Sequence, residues 1–136
     1  KNRILTPHSG EAARLLGVKV NEVEEDRFTA ASKLVEKFGG TVLLKGPGTL
    51  IACGKEKPYV LLEGNPGMAS GGMGDVLTGA IGSFLAQGFT QEESTVVGGA
   101  VHSRAGDLAA EKFGQVGLRA GELLDEIRTL VNLRNR

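Results

Sequence analysis

The sequence predicts an α/β layer fold with a partly parallel sheet and packed helices. Strand-like apolar segments fill much of the first half, amphipathic helical patterns fill the second half, and a glycine-rich loop at residues 64–74 joins them. The segment 41–45, TVLLK, has a β-branched start and stays apolar through Leu44, as a buried parallel strand would. We therefore expect strands at the front of the chain and helices at the back.

The first half is predicted to run strand, helix, helix and three further strands. The first helix takes Ser9 as its cap and ends at Gly17. The second begins at a capping box formed by Asn21 and Glu24 and ends at Gly39. The strands are expected at residues 3–6, 41–45, 49–53 and 59–62, with an exposed hairpin tip at 53–58. The second helix is expected to bury one face, which carries Phe28, Ala31, Val35 and Phe38.

The second half is predicted to contain three helices. The first starts at Asp75 and closes at Gly88, and a capping box of Thr90 and Glu93 opens a long helix that reaches Phe113. The start of the last helix carries only a weak signal. Close packing of the first two helices, or of either against the glycine-rich loop, would explain the glycines inside them, and helix breakage is the alternative. These glycines are Gly79, Gly82, Gly98 and Gly99.

Composition restricts the class of protein. The 16 basic residues balance the 16 acidic ones, which argues against a nucleic-acid or membrane-surface partner, and no apolar run approaches the roughly 20 residues of a membrane span. Cys53 is the only cysteine, so we expect a small buried hydrophobe and a cytoplasmic protein. Residues 1–136 are taken as a single domain. Only two strands look buried and parallel, so this domain is expected to be part of a larger one or to be completed by other subunits.

The glycine-rich loop is the strongest candidate for a binding site. It leads into the positive end of a helix, where the N–H groups of Gly72, Met73 and Gly74 would point at an anion. Asp75 is the first acidic residue there. The alternative is a plain glycine connection in which Asp75 only stabilises the helix start, by about 0.3–1 kcal/mol.

Two other loops follow predicted strands and add candidate residues. Lys45 and Thr49 flank a Gly46-Pro47-Gly48 turn that would suit a phosphate or sugar, and His8 follows Pro7. Each loop alone is a weak signal, since a tight turn with a surface lysine is common. Ligands collect at the carboxyl ends of strands in open α/β sheets, so together the loops predict a site with acid/base groups and an anion cradle.

Three segments give a specific resemblance: LTPHSGEAARLLG, VLLKGPGTLIA and NPGMASGGMGDVLTGAIGSFLAQG. They resemble the signature blocks of the NAD(P)H-hydrate dehydratases, repair enzymes of the ribokinase-like superfamily. The resemblance implies a ribokinase-like three-layer fold, of which residues 1–136 would be the C-terminal portion, with Lys1 starting in mid-domain. The first block usually reads TPHPGE, and Ser9 here replaces the second proline, for which we expect a local change only.

The resemblance also implies a reaction and its residues. Hydrated NADH or NADPH would be restored by phosphoryl transfer from ADP or ATP to the hydroxyl, followed by elimination. Asp75 would be the catalytic base and a substrate contact, with His8 as a second substrate contact. Mg²⁺ is expected from the chemistry, although no carboxylate cluster specifies its ligands, and a homo-oligomer such as a homotetramer is expected. The nucleotide-binding residues implied are Lys45, Gly46, Pro47, Gly48, Thr49, Gly72, Met73 and Gly74.

The sequence alone does not decide the roles of several polar residues, and it leaves two rival functions as alternatives. Asn65 and Ser70 suit either ligand contacts or a structural loop role, whereas His102 is expected to be a packing residue and Asp107 a solvated one. The first rival is a vitamin- or sugar-type small-molecule kinase of the same superfamily, against which the TPHSGE and KGPGT blocks argue. The second is an adenine-nucleotide-binding or oligomerisation module without turnover.

Overall fold

The computed structural model describes residues 2–132 and contains a four-stranded sheet between two layers of helices. The strands are β1 (Ile4–Leu5), β2 (Thr41–Leu44), β3 (Thr49–Cys53) and β4 (Tyr59–Leu61). The helices are α1 (Ser9–Leu16), α2 (Val20–Glu25), α3 (Arg27–Phe38), α4 (Met73–Ala86), α5 (Gln91–Phe113) and α6 (Glu122–Val131), with one 3₁₀ turn at Pro66–Met68.

The strands lie in the order β1-β2-β3-β4, and the sheet is partly parallel as predicted. β1 and β2 are parallel, with Ile4 opposite Thr41, whereas β2–β3 and β3–β4 are antiparallel hairpins. The parallel pair thus joins the fully buried β2 to the half-buried β1. The mostly buried β3 runs antiparallel to β2, because the turn at 46–48 is too short for a parallel crossover.

Both faces of β2 are covered, which makes the fold three-layered. Val42 and Leu44 pack into a core with α1 and α3, while Leu43 points the other way and packs with Leu77 and Ile81 of α4. This alternation follows from the period of two along a strand. It also explains why the segment is continuously apolar.

Two glycines of α5 allow close packing, Gly98 against α4 and Gly99 against the sheet. A Cβ on Gly98 would lie 2.9 Å from Ile81 Cα, and one on Gly99 would lie 2.9 Å from Leu61 Cδ1. The expected close packing of the two helices is therefore confirmed for Gly98, whereas Gly99 packs against strands of the sheet. Gly79 and Gly82 have open space around them and need no such explanation.

Several helix starts differ from the prediction. His8, rather than Ser9, caps α1, because its ring accepts the Glu11 N–H. The expected second helix is two helices, and Asp26 caps α3 through both the N–H and the hydroxyl of Thr29.

The face of α3 and the start of α4 were also mispredicted in part. Phe28 is 54 % exposed, so it does not belong to the buried face of α3. α4 begins at Met73, two residues before Asp75. The capping box of Thr90 and Glu93 is confirmed.

Among residues 2–132, no helix is both long and apolar enough to cross a membrane.

Candidate active site

Three loops meet at one end of the sheet, as the sequence predicts. The Lys45 N–H donates to the Pro7 carbonyl over 2.8 Å, which ties the end of β2 to the loop after β1. The Oγ1 atoms of Thr6 and Thr78 are 3.5 Å apart, which joins that loop to α4. A Cβ on Gly74 would lie 2.9 Å from Lys45 Nζ. The lysine, the glycine loop and the loop of His8 therefore surround one site.

The glycine loop offers free backbone donors at the start of α4. Gly72 caps the helix with φ 87°, a left-handed conformation that favours glycine, and no side chain caps it. Within residues 2–132, the N–H groups of Gly72, Gly74 and Asp75 meet no acceptor of the protein. The Met73 N–H donates to the Ser70 carbonyl over 3.4 Å, a long bond, so its place in the anion cradle stays a prediction. The Asp75 N–H, which the prediction omitted, is also available.

Asp75 is exposed in the first turn of α4. Within the described part of the chain, its carboxylate makes no hydrogen bond or ion pair with the protein. It borders an open apolar groove of about 450 Å³ between α4 and α6, which Leu124 and Ile127 line from the α6 side. A carboxylate with this exposure and no competing partner is able to accept a proton from a bound molecule.

Glu11 belongs to the site although the prediction omitted it. Its Oε2 accepts the His8 N–H over 2.9 Å and lies 4.0 Å from Lys45 Nζ. The His8 N–H, with help from the charge of Lys45, lowers the pKa of the Glu11 carboxyl, which is therefore ionised. His8 Nδ1 accepts the Glu11 N–H, so a neutral ring carries its proton on Nε2, and this side chain is largely exposed. The H-x-x-E spacing of a capping box was the available signal.

The side chain of Arg27 in α3 binds the turn after β2 through hydrogen bonds, a contact that the sequence did not predict. Arg27 Nη1 donates to the carbonyls of Pro47 (2.6 Å) and Gly48 (3.1 Å), and Nη2 donates to Leu44 (3.2 Å). A Cβ on Gly46, where φ is 151°, would lie 2.7 Å from Nη2. The guanidinium thus orders the turn and leaves Pro47 and Gly48 exposed to a ligand.

The turn has one further internal bond. Thr49 Oγ1 donates to the Gly46 carbonyl over 3.0 Å, so this hydroxyl serves the turn itself. Thr49 therefore contributes to the shape of the predicted nucleotide-binding turn.

Asn65 and Ser70 of the glycine-rich loop and Asp107 of α5 hydrogen-bond within the protein. Asp107 accepts from the Gly64 N–H (3.0 Å) and from the Asn65 side-chain amide (2.9 Å), so its prediction as a solvated residue is wrong. The oxygen of the same Asn65 side-chain amide accepts the Gly67 N–H, and Ser70 Oγ donates to the Leu118 carbonyl. Both side chains therefore have hydrogen-bond partners within the protein.

His102 and Cys53 are both consistent with packing roles. His102 is 7 % exposed, with Nε2 3.0 Å from the Met73 carbonyl oxygen, and its burial lowers its pKa. Cys53 lies at the end of β3 that is opposite the site, and burial together with Glu92 raises the pKa of its thiol to about 11. Neither group is a poised nucleophile or acid.

The fold and the site define an α/β protein in which a helix N-terminus with free backbone N–H groups, a lysine and an exposed carboxylate lie together at one end of the sheet. Solved structures with this fold include the ADP/ATP-dependent NAD(P)H-hydrate dehydratase of Bacillus subtilis, co-crystallised with ATP/Mg²⁺, with 31 % identity and a TM-score of 0.89. That match covers 96 % of this chain and 47 % of the other. The Arabidopsis thaliana ribokinase (24 % identity, TM-score 0.59, 96 % and 41 % covered) agrees in fold alone. The fold is therefore ribokinase-like.

Sequence comparison gives the family. A family model described as NAD(P)H-hydrate dehydratase matches residues 1–129, and the chain belongs to that family. The chain is 55 % identical to a bifunctional NAD(P)H-hydrate repair enzyme, Nnr, of Vibrio cholerae over 96 % of its length, and 48 % identical to the ADP-dependent (S)-NAD(P)H-hydrate dehydratase of Neisseria meningitidis over 97 %. It spans 26 % of the first relative and 45 % of the second.

Proposed function

We propose that this chain supplies the phosphate-binding and proton-accepting part of a nucleotide-dependent NAD(P)H-hydrate dehydratase. One observation carries the proposal: the free N–H groups of Gly72, Gly74 and Asp75 lie beside Lys45 Nζ and next to an unpaired, exposed carboxylate. The membership of the family, whose relatives include an ADP-dependent dehydratase, supports it.

The phosphate end of an adenine nucleotide suits the amides of the glycine loop. The N-terminus of a helix carries about half a positive charge, and each hydrogen bond to a charged oxygen contributes about 1.5–3 kcal/mol. Lys45 adds a full positive charge beside Gly74. These groups bind the terminal phosphate and stabilise the charge that develops on it. The rest of the nucleotide binds to the turn that Arg27 holds, which consists of Gly46, Pro47, Gly48 and Thr49.

Asp75 accepts the proton of the substrate hydroxyl. Transfer of the terminal phosphoryl group from ATP or ADP to that oxygen would release ADP or AMP and form a phosphate ester. Loss of inorganic phosphate from this carbon, with a proton from the neighbouring carbon, would then restore the reduced nicotinamide. The carboxylate of Asp75 suits this role because no protein group within residues 2–132 competes for it. His8 contributes the proton on its exposed Nε2 as a hydrogen-bond donor to the hydrated substrate.

Mg²⁺ has no protein ligand set in the described part of the chain, where no three His, Cys, Asp or Glu side chains cluster. We therefore assign no residue to the metal, which would arrive on the nucleotide phosphates. A homotetrameric state is a further proposal from the family resemblance, and a cytoplasmic location is a proposal from the single cysteine. Light scattering coupled to size-exclusion chromatography would measure the first, and fluorescence microscopy of a tagged protein the second.

The proposal is tested at two levels. The 136-residue chain is titrated with ADP and with ATP, each with Mg²⁺, by calorimetry. For turnover, the chain replaces the matched segment of the Neisseria meningitidis dehydratase, and this dehydratase chimaera is assayed for recovery of NADH and NADPH absorbance from their hydrates. We expect nucleotide binding by the chain and hydrate repair by the chimaera.

Phosphorus NMR of the reaction distinguishes the rival functions. A dehydratase releases inorganic phosphate, whereas a small-molecule kinase leaves a stable phosphorylated product. A folded chimaera that binds nucleotide and never repairs the hydrates would contradict the dehydratase proposal and favour the binding module.

A further inference from the structure

His102 is a buried donor that the proposed chemistry does not use directly. It lies in the middle of α5, and its Nε2 is 3.0 Å from the Met73 carbonyl oxygen. A carbonyl only accepts hydrogen bonds, so Nε2 carries the proton and donates it. Burial lowers the pKa of His102, and the nearby charge of Lys45 lowers it further, so the ring is neutral as it donates.

The acceptor of this bond is the residue on which the anion-binding turn depends. Met73 is the first residue of α4, and the free amides lie on both sides of it, at Gly72 and at Gly74. Its side chain is 5 % exposed and belongs to a buried cluster with Ala105 and Ala109 of α5. α5 therefore holds Met73 by its side chain and by its carbonyl.

Contacts on the N-terminal side of Met73 hold this turn only weakly, whereas the Met73 carbonyl is also an acceptor within α4. Gly72 has a left-handed φ and no side chain, and the Met73 N–H reaches the Ser70 carbonyl only at 3.4 Å. A rotation of the Met73 peptide plane would redirect the adjoining N–H of Gly74, since the Met73 carbonyl and the Gly74 N–H belong to the same peptide unit. Fixing that carbonyl thus fixes the direction of a donor in the anion cradle.

We propose that His102 is a positioning residue, which fixes the Met73–Gly74 peptide through its Nε2–H and so aims the Gly74 N–H and the Asp75 carboxylate at the phosphate and the substrate. The identity of the bound anion rests on the proposed function, but the hydrogen bond and its effect on the peptide do not.

The first experiment needs no ligand. Nitrogen-15 NMR of the chain determines the ring tautomer of His102 and the amide signals of Gly72, Gly74 and Asp75. His102→Gln keeps an N–H donor at a similar reach, whereas His102→Leu removes it, and Ser103→Ala is the control at a neighbouring buried position on α5. We expect the Nε2–H tautomer in the wild type and loop amides that shift or broaden in His102→Leu while staying near their wild-type positions in the other two.

The second experiment measures ADP affinity in the same variants, below their melting temperatures. Loss of one well-placed donor is expected to weaken ADP binding about tenfold in His102→Leu, with His102→Gln within about threefold of the wild type. A purely structural role would lower the melting temperature without changing the affinity of the folded protein. If His102→Leu does not fold, His102→Asn, whose amide falls short of the carbonyl, takes its place.

The outcomes separate the two proposals. An Nδ1–H tautomer, or loop amides and ADP affinity that are unchanged in folded His102→Leu, would overturn the positioning role. A wild-type chain that fails to bind ADP would contradict the proposed function, and the ligand-free spectra would still decide the role of His102.

Discussion

The ammonium group of Lys45 lies against the backbone of Gly74, so closely that a Cβ at Gly74 would stand 2.9 Å from Nζ. The contact joins the end of β2 to the first turn of α4, where the free amides begin. A lysine so placed adds its charge to that of the helix N-terminus. Lys45 Nζ can take this position because Gly74 has no side chain.

Gly74→Ala should separate nucleotide binding from stability. The new methyl group displaces the flexible end of Lys45, while alanine in a helix is favoured over glycine by about 1 kcal/mol. We expect the free energy of unfolding to stay equal or rise, and ADP affinity to fall about tenfold as the contact of Lys45 with the phosphate weakens. Urea denaturation and calorimetry measure the two quantities.

Gly82→Ala is the matched control for this experiment. Gly82 lies in the same helix with open space around it, so the substitution should stabilise α4 and leave ADP affinity unchanged. Equal affinities for the two alanine variants would contradict the role assigned to the contact between Lys45 and Gly74.

Arg27→Lys should loosen the turn at residues 46–49. Lysine keeps the positive charge but loses the fork that donates to the carbonyls of Leu44, Pro47 and Gly48. We expect a loss of about 1–3 kcal/mol in the free energy of unfolding, together with weaker ADP binding. Arg128→Lys, on the exposed surface of α6, should change neither. An Arg27→Lys protein with wild-type affinity would show that the turn does not need the guanidinium.

Gly98→Ala should destabilise the packing of α5 on α4. Its Cβ would meet Ile81 Cγ1 at 2.8 Å and the Ile81 Cα at 2.9 Å, and the backbone of a packed helix cannot move aside as a side chain end can. Overpacking of this kind costs about 1–3 kcal/mol, which exceeds the gain in helix propensity. Urea denaturation should show a lower midpoint than for Gly82→Ala, and an equal or higher midpoint would mean that the helices can separate at little cost.

The stability of the chain should depend on pH through His102. Burial lowers its folded pKa below the unfolded value of about 6.5, so the unfolded chain binds more protons between these two values. The contribution to stability is therefore complete above about pH 6.5 and is lost as the pH falls from there through the folded pKa. The acidic groups with lowered pKa, such as Glu11 and Asp26, lose their contributions at lower pH.

His102→Gln isolates this effect. Between about pH 7.5 and about pH 5.5, the free energy of unfolding should fall more steeply in the wild type than in the variant, since glutamine does not titrate. Parallel curves for the two proteins would contradict a lowered pKa of His102.

The sequence predicts the strands and the long helices well because their signals are local. The β-branched and apolar pattern of β2 and the capping box of Thr90 and Glu93 belong to single segments, and both appear where expected. The glycine-rich loop likewise marks the start of α4 to within two residues. These features need no information from distant parts of the chain.

The missed features depend on contacts between distant residues or on unusual local choices. Arg27 reaches the turn after β2 and Asp107 reaches the loop at Gly64 only because the fold brings them there. His8 caps α1, although serine is the commoner capping residue. The cap was therefore predicted at Ser9, one residue after its actual position. The long bond from the Met73 N–H to the Ser70 carbonyl likewise depends on the shape of the folded loop, and no sequence pattern signals it.

The most direct test of the account is the Asp75→Asn substitution, made both in the chain and in the dehydratase chimaera. Asparagine fills the same space but does not accept the proton, so repair of the NADH and NADPH hydrates should fall by about 10²–10⁴-fold. ADP binding to the chain should be retained or tightened, because the substitution removes a negative charge near the phosphate. Undiminished hydrate repair by the Asp75→Asn chimaera would contradict the assignment of Asp75 as the proton acceptor, and with it the central claim.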